Sequence, residues 1–443
     1  MSLAAGPLSW GRAHHLRHAV RRPGSAAEAA AALAGPLPAL GYGRGRSYGD
    51  SCLNDGGLLV DTGRLDRFVA FDRATGRLEA QAGVTISEVL AQLARPNADG
   101  SHWFLPVTPG TSVVTLGGAV ANDVHGKNHH VTGSFGCHVP SFTLLRGTGE
   151  LVTCSSAENP GLYRATIGGL GLTGLLTGVT LQLKRVPGLA VEVEEIRFGN
   201  LREFFDLARS SEPDWEYTVA WIDCLARGPA LGRGIFSRAN HVPNERRDYL
   251  PPAIRWSVPL APPFSPLNRA SLTAFNALYW RRLGRSGRRR QRTGYAEYLY
   301  PLDAIGNWNR LYGRRGFYQY QCVLPPPAAE DGVRAMLDAI AQAGDGSFLA
   351  VLKTFGPQPA PGLLSFCREG ITLALDFPNR GGRTLALLDR LDAITLAAGG
   401  RVYPAKDGRM SAATFRAGFP ELAAFTPYVD ARFSSTFWRR VAG

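Results

Sequence analysis

The sequence lacks paired cysteines and long apolar runs. Its six cysteines are scattered, and none forms a CxxC pair. This spacing argues against a zinc ribbon or a disulfide framework, and free thiols fit a reducing compartment. No stretch of about 18 apolar residues occurs, so we expect no transmembrane helix. Residues 1–22 carry no continuous apolar stretch before their charges, and we expect no Sec signal.

Composition and charge limit the possible classes of function but do not select one of them. The chain of 443 residues is 45% hydrophobic and 19% charged, with a formal net charge of +13. Its length predicts two globular domains. Its charge suits an anionic partner, whether a phosphorylated substrate, an anionic membrane surface or nucleic acid. Much of the excess lies in "RRLGRSGRRRQR", residues 281–292.

The glycine-rich N-terminal part is typical of an α+β unit. Residues 57–83 predict three strands separated by turns. Two capping boxes, Ser25 with Glu28 and Thr85 with Glu88, predict two helices.

From about residue 189 the pattern changes to strand-like runs alternating with helices. The strand-like runs are residues 217–224, 317–325, 347–356 and 371–378. The helical stripes consist of Val333, Met336, Leu337 and Ile340, and of Leu385, Leu388 and Leu391. A sheet backed by helices, and hence a second domain, is the expected result.

Residues 251–292 interrupt that pattern with proline-rich, apolar and arginine-rich stretches in turn. One interpretation is a mobile, solvated insertion. The other is a membrane-facing segment, in which basic residues meet anionic lipid beside Trp256, Phe264, Phe275 and Trp280.

Three glycine-rich segments stand out, at residues 41–50, 109–130 and 168–183. The first, "GYGRGRSYGD", fits neither GxGxxG nor a Walker motif. Its glycines still allow close backbone approach, and successive amides can form an anion nest. Taken alone, the first and third segments are glycine-rich turns. Two glycine-rich loops in one domain, neither of which fits the Rossmann motif, nevertheless suggest a large diphosphate-containing ligand that is bound from two sides.

The second segment ends in "HGKNHH", where His125 and His129 are four residues apart. A zinc helix of the HExxH type needs glutamate where this chain has Gly126, and a central glycine disfavours the helix. No third ligand occurs at a familiar spacing, so we expect no metal site. Histidines satisfied within the protein are the ordinary alternative.

In this order and spacing, the three segments resemble the FAD-binding domain of the vanillyl-alcohol-oxidase superfamily, of the p-cresol methylhydroxylase type. The motifs "GRGRSYGD", "HGKNHH", "GGLGLTG" and "YPAKD" are more closely similar to the decaprenylphosphoryl-β-D-ribose 2′-oxidase family, over nearly the whole chain. The resemblance implies an α+β fold with a two-subdomain FAD-binding domain at residues 1–188, completed by residues 401–443. An α+β substrate domain with an antiparallel sheet would span residues 189–400 and carry the insertion at 251–292.

The resemblance also implies FAD as cofactor. Many members of the superfamily attach FAD covalently through a histidine where this chain has Arg46, so we expect a dissociable, non-covalent FAD. The implied FAD contacts are Gly41, Gly43, Arg44, Gly45, Arg46, Ser47, Tyr48, Gly49, Asp50, Ser51, Gly110, Thr115, Leu116, Gly117, Gly118, Asn122, Asp123, Val124, His125, Leu176 and Tyr403.

Matching blocks imply a substrate pocket. Gln319 and Gln321 are two apart on a strand and share a face, and amides suit sugar hydroxyls. A lysine can bind phosphate, or act as a base when desolvation removes its proton. Lys406 is the candidate for polarising or deprotonating a hydroxyl, with His125 as the rival. The implied pocket residues are Trp221, Tyr300, Gln319, Gln321, Lys353 and Lys406.

The implied reaction is oxidation of the 2-hydroxyl of a polyprenyl-phosphoryl pentose to the 2-keto sugar. A separate NAD(P)H-dependent short-chain reductase would complete a 2-epimerisation that serves cell-envelope arabinose and glycan synthesis. We expect a cytoplasmic protein with peripheral inner-membrane contact, and the sequence leaves a periplasmic location open. One alternative is a soluble alditol or aldonolactone oxidase. The other is a basic nucleic-acid-binding protein, although no nucleic-acid-binding module is recognised and we expect no nucleic-acid partner.

Overall fold

The computed structural model describes residues 3–244, 254–263 and 265–442. Its N-terminal part contains two sheets. One has four strands in the order Ala4–Ala5, Arg17–Arg21, Leu58–Asp61 and Ala39–Tyr42. The other is antiparallel, with five strands in the order Phe68–Asp72, Arg77–Gln81, Leu175–Gln182, Ser141–Leu145 and Leu151–Ser155. The three strands predicted within residues 57–83 are confirmed, and they divide between the two sheets.

Short helices support these sheets. Thr85 and Glu88 cap each other reciprocally, as predicted. The Ser25 side chain accepts a hydrogen bond from the Glu28 amide, but the Glu28 carboxylate accepts from the Gly24 amide at 2.8 Å, so the predicted Ser25 capping box forms only in part. These caps satisfy amides that the first helical turn leaves without partners. The helices of this part are Ala26–Leu33, Ile86–Gln92, Leu116–Ala121, His129–Thr132 and Pro160–Thr166.

The following part is built on an antiparallel sheet of eight strands. In spatial order the strands are Arg288–Gly294, Ala190–Phe198, Gly234–Val242, Tyr217–Ile222, Ala350–Phe355, Gly370–Pro378, Phe317–Leu324 and Arg401–Val402. The longer helices associated with it are Leu201–Ser211, Ala329–Ala343 and Gly382–Ala397.

The core of this part confirms most of the predicted helical stripes. Val333, Met336, Leu337 and Ile340 are buried in the large core cluster. In the helix Gly382–Ala397, Leu388 and Leu391 are buried as expected, but Leu387 takes the inward position expected of Leu385. The residues of a helix that face the core depend on how the helix lies on the sheet, which its own sequence does not fix.

The described chain contains further strands and α-helices. Two short strand pairs are His102–Phe104 with Lys184–Val186, and Trp256–Ser257 with Ile305–Gly306. The other helices are Arg269–Arg281, Tyr295–Leu299, Ala412–Gly418, Leu422–Phe425 and Thr436–Ala442. Among the described residues, no helix is both long and apolar enough to cross a bilayer.

Much of the arginine run has a structural role. Strand Arg288–Gly294 pairs with Ala190–Phe198 and forms one edge of the large sheet. Arg290 and Arg292 form ion pairs with Glu192, which lies on the neighbouring strand. Opposite charges on adjacent strands favour this pairing. The interpretation of residues 251–292 as a mobile insertion is therefore wrong for the part from Arg288 onward, which forms a strand, although the arginine side chains of that strand are exposed to solvent, as the same interpretation expected.

The proposed membrane-facing aromatic residues differ in exposure. Trp256 is 60% exposed and Phe275 is 41% exposed. Trp280 instead packs on the protein, where its Nε1 donates to the Phe198 carbonyl oxygen at 3.1 Å and Arg233 lies over its ring. Trp280 is thus a correction to the predicted lipid contacts, and Phe264 lies outside the described residues.

The C-terminal chain returns to the first sheet. The Ala39 amide donates to the Arg432 carbonyl oxygen at 2.7 Å, and the Thr436 amide donates to that of Leu53 at 2.8 Å. Strand Arg401–Val402 joins the large sheet. Residues 401–442 therefore contact both parts of the protein.

Candidate active site

A cavity of about 1010 Å³ lies where the glycine-rich loops face the large sheet. It draws lining residues from all three glycine-rich segments and from four strands of that sheet, which the sequence separates by up to several hundred positions. The predicted residues that line it are Gly41, Gly43, Arg44, Gly45, Arg46, Ser47, Tyr48, Ser51, Gly110, Thr115, Gly117, Gly118, Asn122, Val124, His125, Leu176, Trp221, Gln319, Gln321, Lys353, Tyr403 and Lys406.

Other predicted residues lie behind the cavity wall and support it. The Tyr300 hydroxyl is hydrogen-bonded to the Thr108 hydroxyl, and Thr108 lines the cavity. Asp123 accepts a hydrogen bond from the Gly136 amide at 2.8 Å. The predicted residues outside the lining are Gly49, Asp50, Leu116, Asp123 and Tyr300.

The first glycine-rich segment offers free donors to a diphosphate. Within the described chain, none of the backbone amides of residues 43–47 donates a hydrogen bond to another protein atom. Arg44 and Arg46 add positive charge, and the Ser51 hydroxyl is buried without a partner. Adjacent unpaired amides with cationic side chains suit an anionic group.

Glycines keep the space beside these donors open. A Cβ on Gly43 would lie 2.5 Å from Thr115 Oγ1, whereas a Cβ on Gly110 would meet no protein atom within 4 Å. Gly43 therefore lets two loops approach each other closely, and Gly110, which is one of the residues that line the cavity, has open space beside it. Together with the free amides, this open volume fits a bulky cofactor that carries a diphosphate, as FAD does.

The first loop contains no good attachment point for a covalent flavin. Arg46 lies over the Trp10 ring at 4.1 Å, and an arginine is not an attachment nucleophile at neutral pH. Burial raises the pKa of the nearby Cys52 thiol to about 12, so the thiol stays protonated. The residues present therefore agree with a dissociable cofactor.

The three histidines of "HGKNHH" diverge in the structure. His125 faces the cavity, while His129 stacks on Phe355 with ring centroids 4.2 Å apart. His130 Nε2 lies 2.9 Å from the Trp215 carbonyl oxygen. Among the described residues, no three potential metal ligands gather at one point. The segment therefore contributes one ring to the cavity and uses the others for packing.

His125 is held as a neutral ring. Its Nε2 lies 2.9 Å from Gln321 Nε2, and its Nδ1 lies 3.2 Å from Lys353 Nζ. Burial first, and then the Lys353 charge, lower the pKa of His125 well below its ordinary value. A neutral imidazole between an amide and an amine can relay or orient a proton.

Three lysines of the cavity share a lowered pKa. Burial lowers the pKa of Lys406 to about 7, opposed by the attraction of Asp376, and that of Lys353 to about 8. Lys406 Nζ lies 3.9 Å from the centroid of the Tyr48 ring. Lys127, which the sequence reasoning missed, also has a pKa lowered by burial to about 7. Its position within "HGKNHH" is the one sequence feature that could have indicated it.

The predicted glutamines lie on one face of strand Phe317–Leu324, as their spacing requires. Gln319 Nε2 donates to Asp376 Oδ1 at 2.6 Å, and Gln321 Nε2 lies 3.0 Å from Thr372 Oγ1. Asp376 was also missed, because it lies on the neighbouring strand; burial raises its pKa to about 6. The site thus combines fixed amides with amines that can lose a proton near neutral pH.

The outer part of the cavity is aromatic and apolar. The Trp221 indole donates to the Phe348 carbonyl oxygen at 2.8 Å, which fixes its ring. Phe275 and Tyr279 stack with ring centroids 5.7 Å apart, and both line the cavity with Ile254. The cavity is therefore polar where Lys406 and the glutamines lie, and apolar toward the exposed helix Arg269–Arg281.

Comparison with known proteins agrees with this geometry. Residues 18–155 match a family described as FAD binding domain. The cradle for a diphosphate-containing cofactor and this match define an FAD-dependent oxidoreductase with an α+β fold.

The particular family follows from similarity over most of the chain. The chain is 35% identical over 406 residues to decaprenylphosphoryl-β-D-ribose oxidase of Mycolicibacterium smegmatis, covering 88% of this chain and 85% of the relative. This chain belongs to the decaprenylphosphoryl-β-D-ribose oxidase family. An uncharacterized Streptomyces coelicolor protein is 36% identical over 76% of this chain and 92% of its own. L-gulonolactone oxidase of Mus musculus is 27% identical over 32% of this chain and 30% of its own.

Proposed function

We propose that the protein oxidises the 2-hydroxyl of a polyprenyl-phosphoryl ribose or a closely related pentose to the 2-keto sugar. The observation that carries this proposal is a change of polarity within one cavity. The lining offers amines and amides at Lys406 and Gln321, and it is aromatic and apolar in the outer part at Phe275. A sugar needs the first environment and a prenyl chain needs the second. The similarity to decaprenylphosphoryl-β-D-ribose oxidase of Mycolicibacterium smegmatis supports the same substrate class.

Five polar side chains of the cavity have roles in this proposal. Lys406, with a pKa of about 7, takes the hydroxyl proton as a neutral amine. Gln319 and Gln321 orient the sugar hydroxyls, and His125 fixes Gln321. When bound to the glycine loops, FAD supplies the two-electron oxidant for the sugar carbon. Lys353 supplies the positive charge that a phosphodiester requires.

The test is anaerobic bleaching of the flavin by a matched set of sugars. We expect polyprenyl-phosphoryl ribose to bleach it, a farnesyl-phosphoryl ribose to bleach it with a higher KM, and ribose 1-phosphate, free pentoses and alditols to leave it oxidised. Bleaching by free polyols at comparable efficiency would refute a lipid-linked substrate and would indicate a soluble sugar or lactone oxidase.

The same proposal includes peripheral membrane contact near the cavity mouth. Trp256 and Leu278 are 60% and 72% exposed, and Ile254 is both exposed and part of the cavity lining. Exposed apolar side chains beside basic residues suit an anionic lipid surface. A lipid-linked substrate could then enter from the bilayer without crossing water.

Vesicle flotation tests this contact. We expect the protein to float with vesicles that contain anionic lipid, and Leu278→Asp to reduce the floating fraction severalfold. Val69→Asp is the matched control, because Val69 is 67% exposed on a strand of the five-stranded sheet. Equal flotation of both variants would contradict a membrane surface at this site.

The biological setting is part of the proposal. The 2-keto product would be reduced by a separate NAD(P)H-dependent short-chain reductase, giving a 2-epimerised sugar for cell-envelope glycan synthesis. We place the protein in the cytoplasm at the inner membrane. Formation of the 2-epimer by the two purified enzymes together with NAD(P)H is the expected result, whereas this protein alone should stop at the 2-keto sugar and the reductase alone should leave the substrate unchanged.

A further inference from the structure

The acidic ends of two site motifs meet behind the cavity. In "GRGRSYGD" the last residue is Asp50, and in "YPAKD" it is Asp407. Both carboxylates are buried, with the residues 2% and 4% exposed. Neither side chain lines the cavity, so the chemistry proposed above leaves both without a role.

A single arginine from the C-terminal helix Thr436–Ala442 joins them. Arg440 Nη2 lies 2.7 Å from Asp50 Oδ1 and 3.1 Å from Asp407 Oδ2, and its Nε donates to Asp50 Oδ2 at 3.2 Å. Its remaining nitrogen, Nη1, donates to the Met410 carbonyl oxygen. A planar guanidinium can donate hydrogen bonds to several acceptors at once, whereas an ammonium group cannot reproduce this planar arrangement of donors.

The two motifs are also in direct backbone contact. The Tyr48 amide donates to the Ala405 carbonyl oxygen at 2.9 Å. A Cβ on Gly49 would overlap the Asp407 carbonyl oxygen, so this approach requires glycine. On the cavity side of the same contact, Lys406 Nζ lies over the Tyr48 ring.

We infer that Arg440 is a positioning residue. By forming ion pairs with Asp50 and Asp407 behind the cavity, Arg440 holds Lys406 against Tyr48. The inference rests on the role proposed above for Lys406 but does not depend on the identity of the sugar. Asp407 directly follows Lys406, and Asp50 follows Tyr48 by two residues, and both Lys406 and Tyr48 line the cavity. Loosening the ion pairs therefore frees the lysine to move toward water.

Neighbouring arginine-to-lysine substitutions test this inference in the holoenzyme. Arg440→Lys retains the positive charge and removes the planar arrangement of donors. The matched control is Arg439→Lys, because Arg439 lies on the same helix and binds Asn54 Oδ1 at 2.7 Å and the Asp55 carbonyl oxygen at 2.9 Å instead. The readout is the pH dependence of Lys406 modification by an amine-reactive reagent, quantified by peptide mass spectrometry, with FAD content and Tm measured in parallel.

We expect Arg440→Lys to move the midpoint of Lys406 modification upward by about one pH unit, because burial is the main cause that lowers this pKa and a freed lysine regains water. The flavin-reduction rate near neutral pH should then fall about fivefold, since a smaller fraction of Lys406 is neutral. Arg439→Lys should leave the midpoint unchanged.

A holoenzyme of Arg440→Lys with a wild-type midpoint would overturn the inference. Equal shifts in both variants would also overturn it, because they would reflect general loosening of the helix. Should Arg440→Lys lose FAD or fold poorly, Asp407→Asn provides the second measurement, with the same upward shift expected and an unchanged midpoint refuting it. Lys406 labelling needs no sugar, so failure of the proposed substrate is distinguishable from failure here.

Discussion

Replacement of Lys406 by methionine is the sharpest test of the proposed chemistry. Methionine has a similar length and no titratable group, so it fills much of the same space against Tyr48. In the wild-type protein the pKa of Lys406 is about 7, against 10.5 for an ordinary lysine. At neutral pH about half of the amines are therefore neutral, compared with about one in three thousand for an unperturbed lysine.

This magnitude sets the expected pH dependence. A base must be neutral to accept a proton, so the rate of flavin reduction should rise with pH through about 7 and level off above it. His125 predicts a different profile. Its pKa lies well below 6.5, so a reaction with His125 as the base would be insensitive to pH through neutrality.

The assay is anaerobic stopped-flow reduction of the bound flavin by polyprenyl-phosphoryl ribose between about pH 5.5 and pH 9, a range that brackets the lysine pKa. We expect Lys406→Met to lower the limiting rate by about a hundredfold or more and to remove the inflection. Lys353→Met is the matched control and should chiefly raise KM, because Lys353 is assigned to phosphate binding.

Two results would refute the reasoning. An inflection near pH 7 that persists in Lys406→Met would assign the base to another group. A flat wild-type profile would favour His125, since only the neutral ring is then present throughout the range.

Three further predictions follow from the cofactor and substrate regions. Asp376→Asn should move the inflection of flavin reduction to lower pH, because the Asp376 charge raises the pKa of Lys406; an unchanged inflection would contradict this coupling. Gly110→Val should weaken FAD binding in a fluorescence titration without lowering the Tm of the apoprotein, because its Cβ position is free of protein atoms; a lowered apoprotein Tm would show that the effect came from misfolding. Acid precipitation should release all FAD into the supernatant, whereas yellow colour in the washed pellet would indicate a covalent bond that Arg46 does not predict.

Motif order carried much of the information about this protein. The glycine-rich loops, "HGKNHH" and "YPAKD" indicated the FAD domain and the oxidase family, and most residues transferred from that resemblance line one cavity. Local patterns predicted the helix N-caps and the strands, because caps and two-residue periodicity depend on near neighbours. The relative placement of distant segments is absent from such patterns.

Tertiary structure decided how those residues act. The chain brings Gln321 and Lys353 to His125 across 196 and 228 positions, and burial at that meeting point lowers the pKa of the lysine and the histidine. It also pairs part of the arginine run with Glu192 and places Arg440 behind two site motifs. Exposure, proton affinity and the pairing of charges depend on what packs around a side chain, and those neighbours can lie far away in the sequence.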